Sequence, residues 1–395
     1  MKKTLAAVAV LGAFAGSAIA ADVTLYGVVD MGLNYTHIDM DRADMDDVDS
    51  FTMESGQQSG SRWGLKGTED LGNGLTVGFV LENGFTVDDG NDNGTMFDRE
   101  SMLFLEGGFG KLAFGRIGSF NQGQGSFSKI GMLTPFGTSW SGYVAEAGDV
   151  FSTSTRYNNS IVYQTPTFAG FQVTAMYSMG NSVSDADEDD YQVENESSTN
   201  RYYGIAATYN NGPFGAYLAV DSINYRSWNG DAPTGNDPDD SLTVTLGGNY
   251  DFEVAKVYLG AQYFDEALLS SLGGIAGRDG YDDMFGLDTG DVKSMKVTGY
   301  SVLLGADAPV AGGKLMGAVA YVDAEQSDWQ EDQGREFDFT RWVVSLGYTY
   351  PLSKRTNLYG VASYMDDEIE GKGNDNGKDW NPSAYTLMIG MKHTF

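Results

Sequence analysis

From Val23 the chain reads VTLYGVVDMGLNY. Val23, Leu25, Val29, Met31, Leu33 and Tyr35 share one parity, and Thr24, Tyr26, Asp30 and Asn34 share the other. Successive side chains of a strand point to opposite faces, so a period of two predicts a strand with one apolar and one polar face. The pattern recurs at 75–85, 171–177, 214–220, 242–250, 255–263, 342–350 and 385–395, and no segment carries a long helical period. The connections alternate in length. Short turns fall at 69–74, 165–170, 210–213, 251–253, 309–314 and 351–357. Long polar loops rich in Asp, Asn and Gly fall at roughly 37–57, 181–199, 225–241, 265–293, 325–336 and 366–381. Short turns on one side and long loops on the other predict an all-β fold, a transmembrane antiparallel β-barrel. Counting hairpins gives 16 strands with both termini on the short-turn side. A soluble β-sandwich also alternates. Against it, the apolar parity is aromatic near strand ends (Tyr35, Phe85, Tyr209, Tyr250, Tyr263, Tyr348, Tyr350), as at the two interfaces of a membrane, and the other parity is polar.

The amino terminus changes the picture. Lys2 and Lys3, the apolar run Leu5–Ala15 and the small residues Ala18-Ile19-Ala20 form the three parts of a secretory signal, predicting a signal peptide over 1–20 and one barrel domain over 21–395. Beyond it no apolar run reaches the ~18 residues of a spanning helix. The 53 Gly, 13% aromatic residues and 8 Pro suit many strands with tight turns. An exported chain with no Cys needs another source of stability, and a closed barrel pairs every strand edge. The formal charge of -31 argues against a nucleic-acid partner.

Several stretches resemble the trimeric, 16-stranded general porins of Gram-negative bacteria, particularly those of β-proteobacteria: VTLYGVVDMGLNY (23–35), SRWGLKGTEDLGNGL (61–75), GGFGKLAFGR (107–116), RYNNSIVYQTPTFAGF (156–171) and YPLSKRTNLY (350–359). The resemblance implies an outer-membrane channel for passive diffusion of small hydrophilic solutes and ions, a homotrimer and no cofactor. A substrate-specific sugar or anion channel is the alternative. It also implies that the third external loop, 116–155, folds into the lumen to form an eyelet. MLTPFGT (132–138) resembles the family's loop tip, which places Pro135, Phe136 and Gly137 there, but the family's Glu is missing, and Arg116–Ala145 holds no acid. Arg62 and Arg99 match the family's eyelet arginines and Glu82 the acid between them, while Val28 stands where a Lys is common. Lys66 and Arg156 share the lumen parity, and Asp30, Glu146 and Asp149 are the acids expected nearby. Phe395, ending an alternating strand, resembles the signal by which outer-membrane barrels engage their assembly machinery.

Other signals are weaker. Asp89-Gly-Asn91-Asp-Asn93-Gly94 with Glu100 fits the EF-hand spacing, but its flanks are strands, not helices, so no metal site is expected. A barrel enzyme would have to work with His37 and His393 alone. Phe120, Phe127, Phe136, Trp140 and Tyr143 suit loop packing better than an aromatic sugar track. Acidic runs at 39–49, 185–196 and 366–370 are expected in external loops, solvated or bridged by cations to lipopolysaccharide phosphates. Their charge predicts a weak cation preference at low salt.

Overall fold

The computed structural model describes residues 23–41, 46–92, 94–181, 193–226, 239–275, 295–328, 336–372 and 379–395. The expected signal segment, and most of the 185–196 acidic run, lie outside them. Among the described residues one antiparallel sheet contains β1 (Thr24–Asp39), β2 (Val48–Ser55), β3 (Arg62–Gly72), β4 (Leu75–Gly84), β5 (Glu100–Gly107), β6 (Gly110–Gly118), β7 (Arg156–Gln164), β8 (Phe171–Ser178) and β9 (Arg201–Asn211). It continues through β10 (Phe214–Asn224), β11 (Leu242–Asp251), β12 (Lys256–Leu268), β13 (Lys296–Val310), β14 (Gly313–Gln326), β15 (Glu336–Pro351), β16 (Thr356–Lys372) and β17 (Ser383–Thr394). β2 pairs with the long-loop half of β1 and β3 with the other half, so the two share one place in the ring and the barrel has 16 staves. β1 also pairs with β17 from Val28↔Thr394 to Asp39↔Ser383, which closes the barrel. Gly27 and Phe395 exchange two backbone hydrogen bonds of 3.1 Å at the seam, and the Phe395 ring covers Gly27 so closely that a Cβ there would clash.

Alternation sorts the faces as the sequence predicts. On β17, Tyr385, Leu387, Ile389 and Met391 are exposed, whereas Ala384, Thr386 and Met388 are buried. Two aromatic belts ring the outer face. Near the long loops, Tyr321 meets Trp342 at 4.5 Å and Tyr364 meets Tyr385 at 4.8 Å between centroids; near the short turns, Phe171 meets Tyr209 at 4.3 Å. Amphipathic rings of this kind suit the two lipid–water boundaries.

Two expected loops are in fact largely strand. The 37–57 segment continues β1 to Asp39 and contains β2, where Phe51 and Met53 face outward and Thr52 and Glu54 share the other parity. Its acids hid a regular alternation. Likewise Asp366–Glu370 belongs to β16, not to a loop. Here Asp366, Glu368 and Glu370 lie on the outer parity beyond the aromatic belt, where the strand has left lipid and an acidic outer face costs nothing.

The interior is not hollow. Segment 119–155 bonds to inner-parity residues around the far wall: Ala145 N donates to Ser345 Oγ (2.8 Å), Ser152 N to Gln262 Oε1 (2.6 Å) and Asn121 Nδ2 to Asp221. Glycines make sockets for it. A Cβ on Gly204, Gly260, Gly305 or Gly347 would strike Phe120, Phe151, Pro135 or Phe136 respectively. A second buried apolar cluster, including Phe264, Leu272, Val322, Phe339, Ile369 and Trp380, fills the long-loop half of the β12–β17 side. Two cavities, of about 480 and 490 Å3, border residues of the β3–β7 side.

Candidate functional site

On that side the strand register brings together the residues expected from sequence. Gly64 pairs with Glu82 and Glu82 with Glu100, which sets Arg62 and Glu82 on one face of β3–β4, and Arg99, the residue just before β5, reaches Glu82 from the end of the preceding loop. Arg99 Nε lies 2.7 Å from Glu82 Oε1 and Arg62 Nε 3.5 Å from Glu82 Oε2, while Tyr26 OH donates to Glu82 at 3.0 Å. Arg62 Nη1 also donates to Gly60 O and to Gln124 Oε1, each at 2.8 Å, and Arg99 Nη2 donates to the same Gln124 oxygen. Ser126 N and Oγ donate to Glu100 at 2.7 and 2.5 Å. Residues 124–126 are therefore tied to the arginine wall. Val28 sits opposite Arg62 on the β1–β3 ladder.

Arg156 is different. It opens β7, and among the described residues its side chain makes no ion pair or hydrogen bond; its Nε is buried without a partner, and Asp98, Glu100 and Glu82 act on it only at longer range. With Arg99 it lines a cavity of about 480 Å3 whose remaining lining is glycine, Ser, Thr, Gln and Trp140, with no carboxylate. Ser270 and Ser271 contribute to this lining from the turn after β12.

The expected eyelet acids are placed elsewhere. Asp30 is fully buried and accepts hydrogen bonds from Gln58 N (2.9 Å), Ser59 N (2.7 Å) and Tyr359 OH (2.6 Å), which pins the turn between β2 and β3. Glu146 accepts from Trp140 N (3.0 Å), and Asp149 from Val144 N (3.2 Å) and Gly274 N (3.0 Å); both are buried and serve backbone amides. All three thus spend their carboxylate oxygens on groups of the fold, as the otherwise unsatisfied amides of tight turns need acceptors. At the loop tip, Pro135 and Phe136 fill the wall sockets, and Gly137, at φ 74°, donates to Thr134 O and takes the left-handed turn. Phe120, Phe127, Phe136 and Trp140 are buried, with Trp140 edge-on to Tyr359 at 5.4 Å, so they pack the segment and form no track. Lys66 is exposed on the lumen face nearer the short turns, its Nζ 5.0 Å from the Tyr26 ring.

Sequence reasoning missed the opposite wall. Arg341 is fully buried and forms a bidentate pair with Asp367 (2.6 and 2.8 Å). It also donates to Asp149 O (2.9 Å), Leu272 O (2.6 Å) and Gly273 O (3.1 Å), clasping both inward segments. A usable signal existed: Arg341 and Asp367 are equidistant from Lys354 in the 351–357 turn, so the hairpin sets them opposite each other.

Of the residues with calcium-loop spacing, Asn93 lies outside the described ones. Asp89 bonds Asn91 N (3.0 Å) and the Thr86 hydroxyl, which holds its carboxyl below the usual range, whereas Glu100 points to Ser126. His37 meets Asp49 at 3.0 Å and His393 meets Thr356 Oγ1 at 2.9 Å, both on the outer parity.

Comparison with known proteins agrees with this architecture. Residues 6–370 match the Gram-negative porin family. An outer membrane porin protein of Bordetella pertussis is 35% identical over 92% of this chain and 94% of its own length, and outer membrane porin protein 32 of Delftia acidovorans is 31% identical over the whole of both. Among solved structures, an anion-selective porin from Comamonas acidovorans superimposes with a TM-score of 0.65 at 27% identity, covering 95% of this chain and all of that one. The chain thus belongs to the Gram-negative porin family, and it is an outer-membrane β-barrel channel.

Proposed function

We propose that this porin passes small hydrophilic solutes by diffusion through a waist formed between β3–β7 and segment 119–155, and that the waist favours anions. One observation carries the reading. The cavity beside Arg99 and Arg156 has no carboxylate in its lining, because the acids expected there are buried in turns. Arg62 and Arg99 share Glu82, but Arg156 is neutralised by no contact among the described residues. Arg keeps its charge at any working pH, so the waist holds a fixed positive field. The anion-selective relative supports the same direction. The cation preference expected from the loop acids then belongs to low salt, where their field reaches the mouth. The test is the reversal potential of purified protein in a planar bilayer across a KCl gradient at high salt. Chloride preference is expected, and potassium preference there would sink the reading.

We further propose that residues 1–20 are removed on export, that the barrel assembles as a homotrimer, that Phe395 is read by the barrel-assembly machinery, and that the acidic long-loop rim contacts lipopolysaccharide. Cleavage rests on the three-part pattern of residues 1–20, and assembly and trimer on the resemblance to the porin family, with the exposed position of Phe395 at the barrel seam as structural support.

A further inference from the structure

A second cavity lies below the waist, toward the short turns. Its wall follows three rows of the ladder. Thr24 pairs with Lys66, Lys66 with Val80 and Val80 with Met102; Phe104 pairs with Ala113; and Glu106 pairs with Lys111, which pairs with Gln164. Ser126 and Phe127 of the inward segment complete the lining, and the cavity measures about 490 Å3, a size suited to a small organic ligand. Its chemistry is divided. Met102, Phe104 and Phe127 give an apolar, partly aromatic surface, while Lys66 and Lys111 bring ammonium groups to the same space. Lys111 Nζ lies 2.9 Å from Glu106 Oε2 and 4.4 Å from the Phe104 ring centroid. Lys66 is exposed and, among the described residues, has no carboxylate partner. Glu106 and Asp70 stand on the last of these rows, but no acid lines the cavity itself, so it offers a hydrophobic floor and, in Lys66, a cation with no carboxylate in contact.

We propose that this cavity is a binding site for small amphipathic organic anions, of which an aryl carboxylate is the model. The ring is held at Met102, Phe104 and Phe127, and the carboxylate at Lys66, with the Lys111 ammonium and the Thr24 and Ser126 hydroxyls within the same lining. Charge complementarity selects the anion, and apolar burial selects a ring over a methyl group. Lys66 stands four residues from Arg62 on the same strand face, about 13 Å along it. The site is therefore separate from the waist, and it would hold an aryl anion briefly on its way through, making passage saturable for such solutes and unsaturable for acetate or chloride.

The test uses full-length porin in planar bilayers, with chloride current recorded while sodium benzoate or sodium acetate is added on the short-turn side. Benzoate is expected to lower the current saturably, at concentrations about tenfold below those at which acetate has an equal effect. Lys66→Gln should raise the half-saturating benzoate concentration several-fold, and Phe104→Leu, which keeps the wall packed, should do the same without moving the KCl reversal potential. Indistinguishable curves for benzoate and acetate would overturn the site. So would a benzoate effect that survives Lys66→Gln but vanishes in Arg156→Gln, since the anion would then be held at the waist. If the KCl gradient shows no chloride preference while the Lys66-dependent benzoate effect persists, the waist reading fails and this one stands.

Discussion

Arg156 and Arg341 sit on opposite walls of one barrel, and their surroundings differ in every respect that decides what an arginine does. Arg341 is fully buried, has a bidentate carboxylate and spends its remaining donors on three carbonyls of the two inward segments. Arg156 borders open space, has no partner among the described residues and leaves a buried Nε unsatisfied. A paired, desolvated guanidinium contributes little field to a permeating ion but fixes geometry, whereas an unpaired one beside water does the reverse. Between them lies the Arg62–Glu82–Arg99 cluster, which is paired like Arg341 yet close to the channel like Arg156. The charge of a lumen residue is thus a poor guide to its role until its partners are known.

The largest effect should come from breaking the clasp. Arg341→Met leaves Asp367 buried and unpaired, a change that costs about 3–5 kcal/mol in comparable pairs. We expect a lower thermal transition for the purified barrel, with larger and noisier single-channel currents as residues 149 and 272–273 lose their anchor. The double variant Arg341→Met with Asp367→Leu should recover much of the stability but not the narrow channel, because the three carbonyls still lack their donor. If its conductance returns to the parent value, Arg341 is only a stabilising residue.

Next comes Arg156→Gln, which removes the unpaired charge with little change in volume. A unit charge about 7 Å from an ion in water is worth about 0.6 kcal/mol, or about threefold in local ion concentration. The chloride-to-potassium permeability ratio should fall several-fold, with thermal stability unchanged. A stability loss as large as that of Arg341→Met would erase the contrast between the two walls.

How much of this was readable beforehand depended on whether a residue's partner is local in the strand pattern. The barrel, its turns and the Arg62–Glu82 neighbourhood were legible because alternation and hairpin register place them without any loop, whereas Arg99 stands just before β5 and meets Glu82 only through its side chain. The β2 strand was not, since its acids outweighed the alternation of Phe51 and Met53. Asp30, Glu146 and Asp149 were assigned to the channel because an acid on lumen parity looks alike whether it faces water or caps a turn. What distinguishes them is the backbone amides of residues 58–59, 140, 144 and 274, which only the folded chain brings near. Arg341 and Asp367 were missed because the acids around Asp367 read as a loop, although the short turn between β15 and β16 already fixed their pairing.

A smaller effect is expected from Glu82→Gln. It uncovers the charges of Arg62 and Arg99, so chloride preference should rise, but both guanidiniums remain bonded to Gln124, which spreads part of their field. Reversal potentials of Glu82→Gln and Arg156→Gln should therefore shift in opposite directions, the second further than the first. A shift toward cations in Glu82→Gln would mean that the loss of its bonds has turned Arg99 away from the lumen.

The smallest and most conditional effect is that of the rim, and it sets when the contrast between the walls can be measured. Asp41, Asp46, Asp47, Asp49, Glu194, Glu196, Asp239 and Asp240 are exposed at the long-loop end, so the mouth is negative while the waist is positive. Their fields oppose each other along the same path. Screening decides the outcome, because the Debye length is roughly 30 Å at 0.01 M salt but about 3 Å at 1 M. At low salt the rim's field spans the mouth and enriches cations, offsetting Arg156. At high salt it collapses onto the loops, and an ion at the waist meets only the charges that line it. Chloride preference should therefore grow as mean KCl concentration is raised at a fixed gradient, and it should turn to a weak potassium preference near 0.01 M. In Arg156→Gln the same series should begin at a stronger potassium preference and flatten toward no preference at high salt. Chloride preference strongest at the lowest salt would show that the rim acids point away from the path and that the waist acts alone at every concentration.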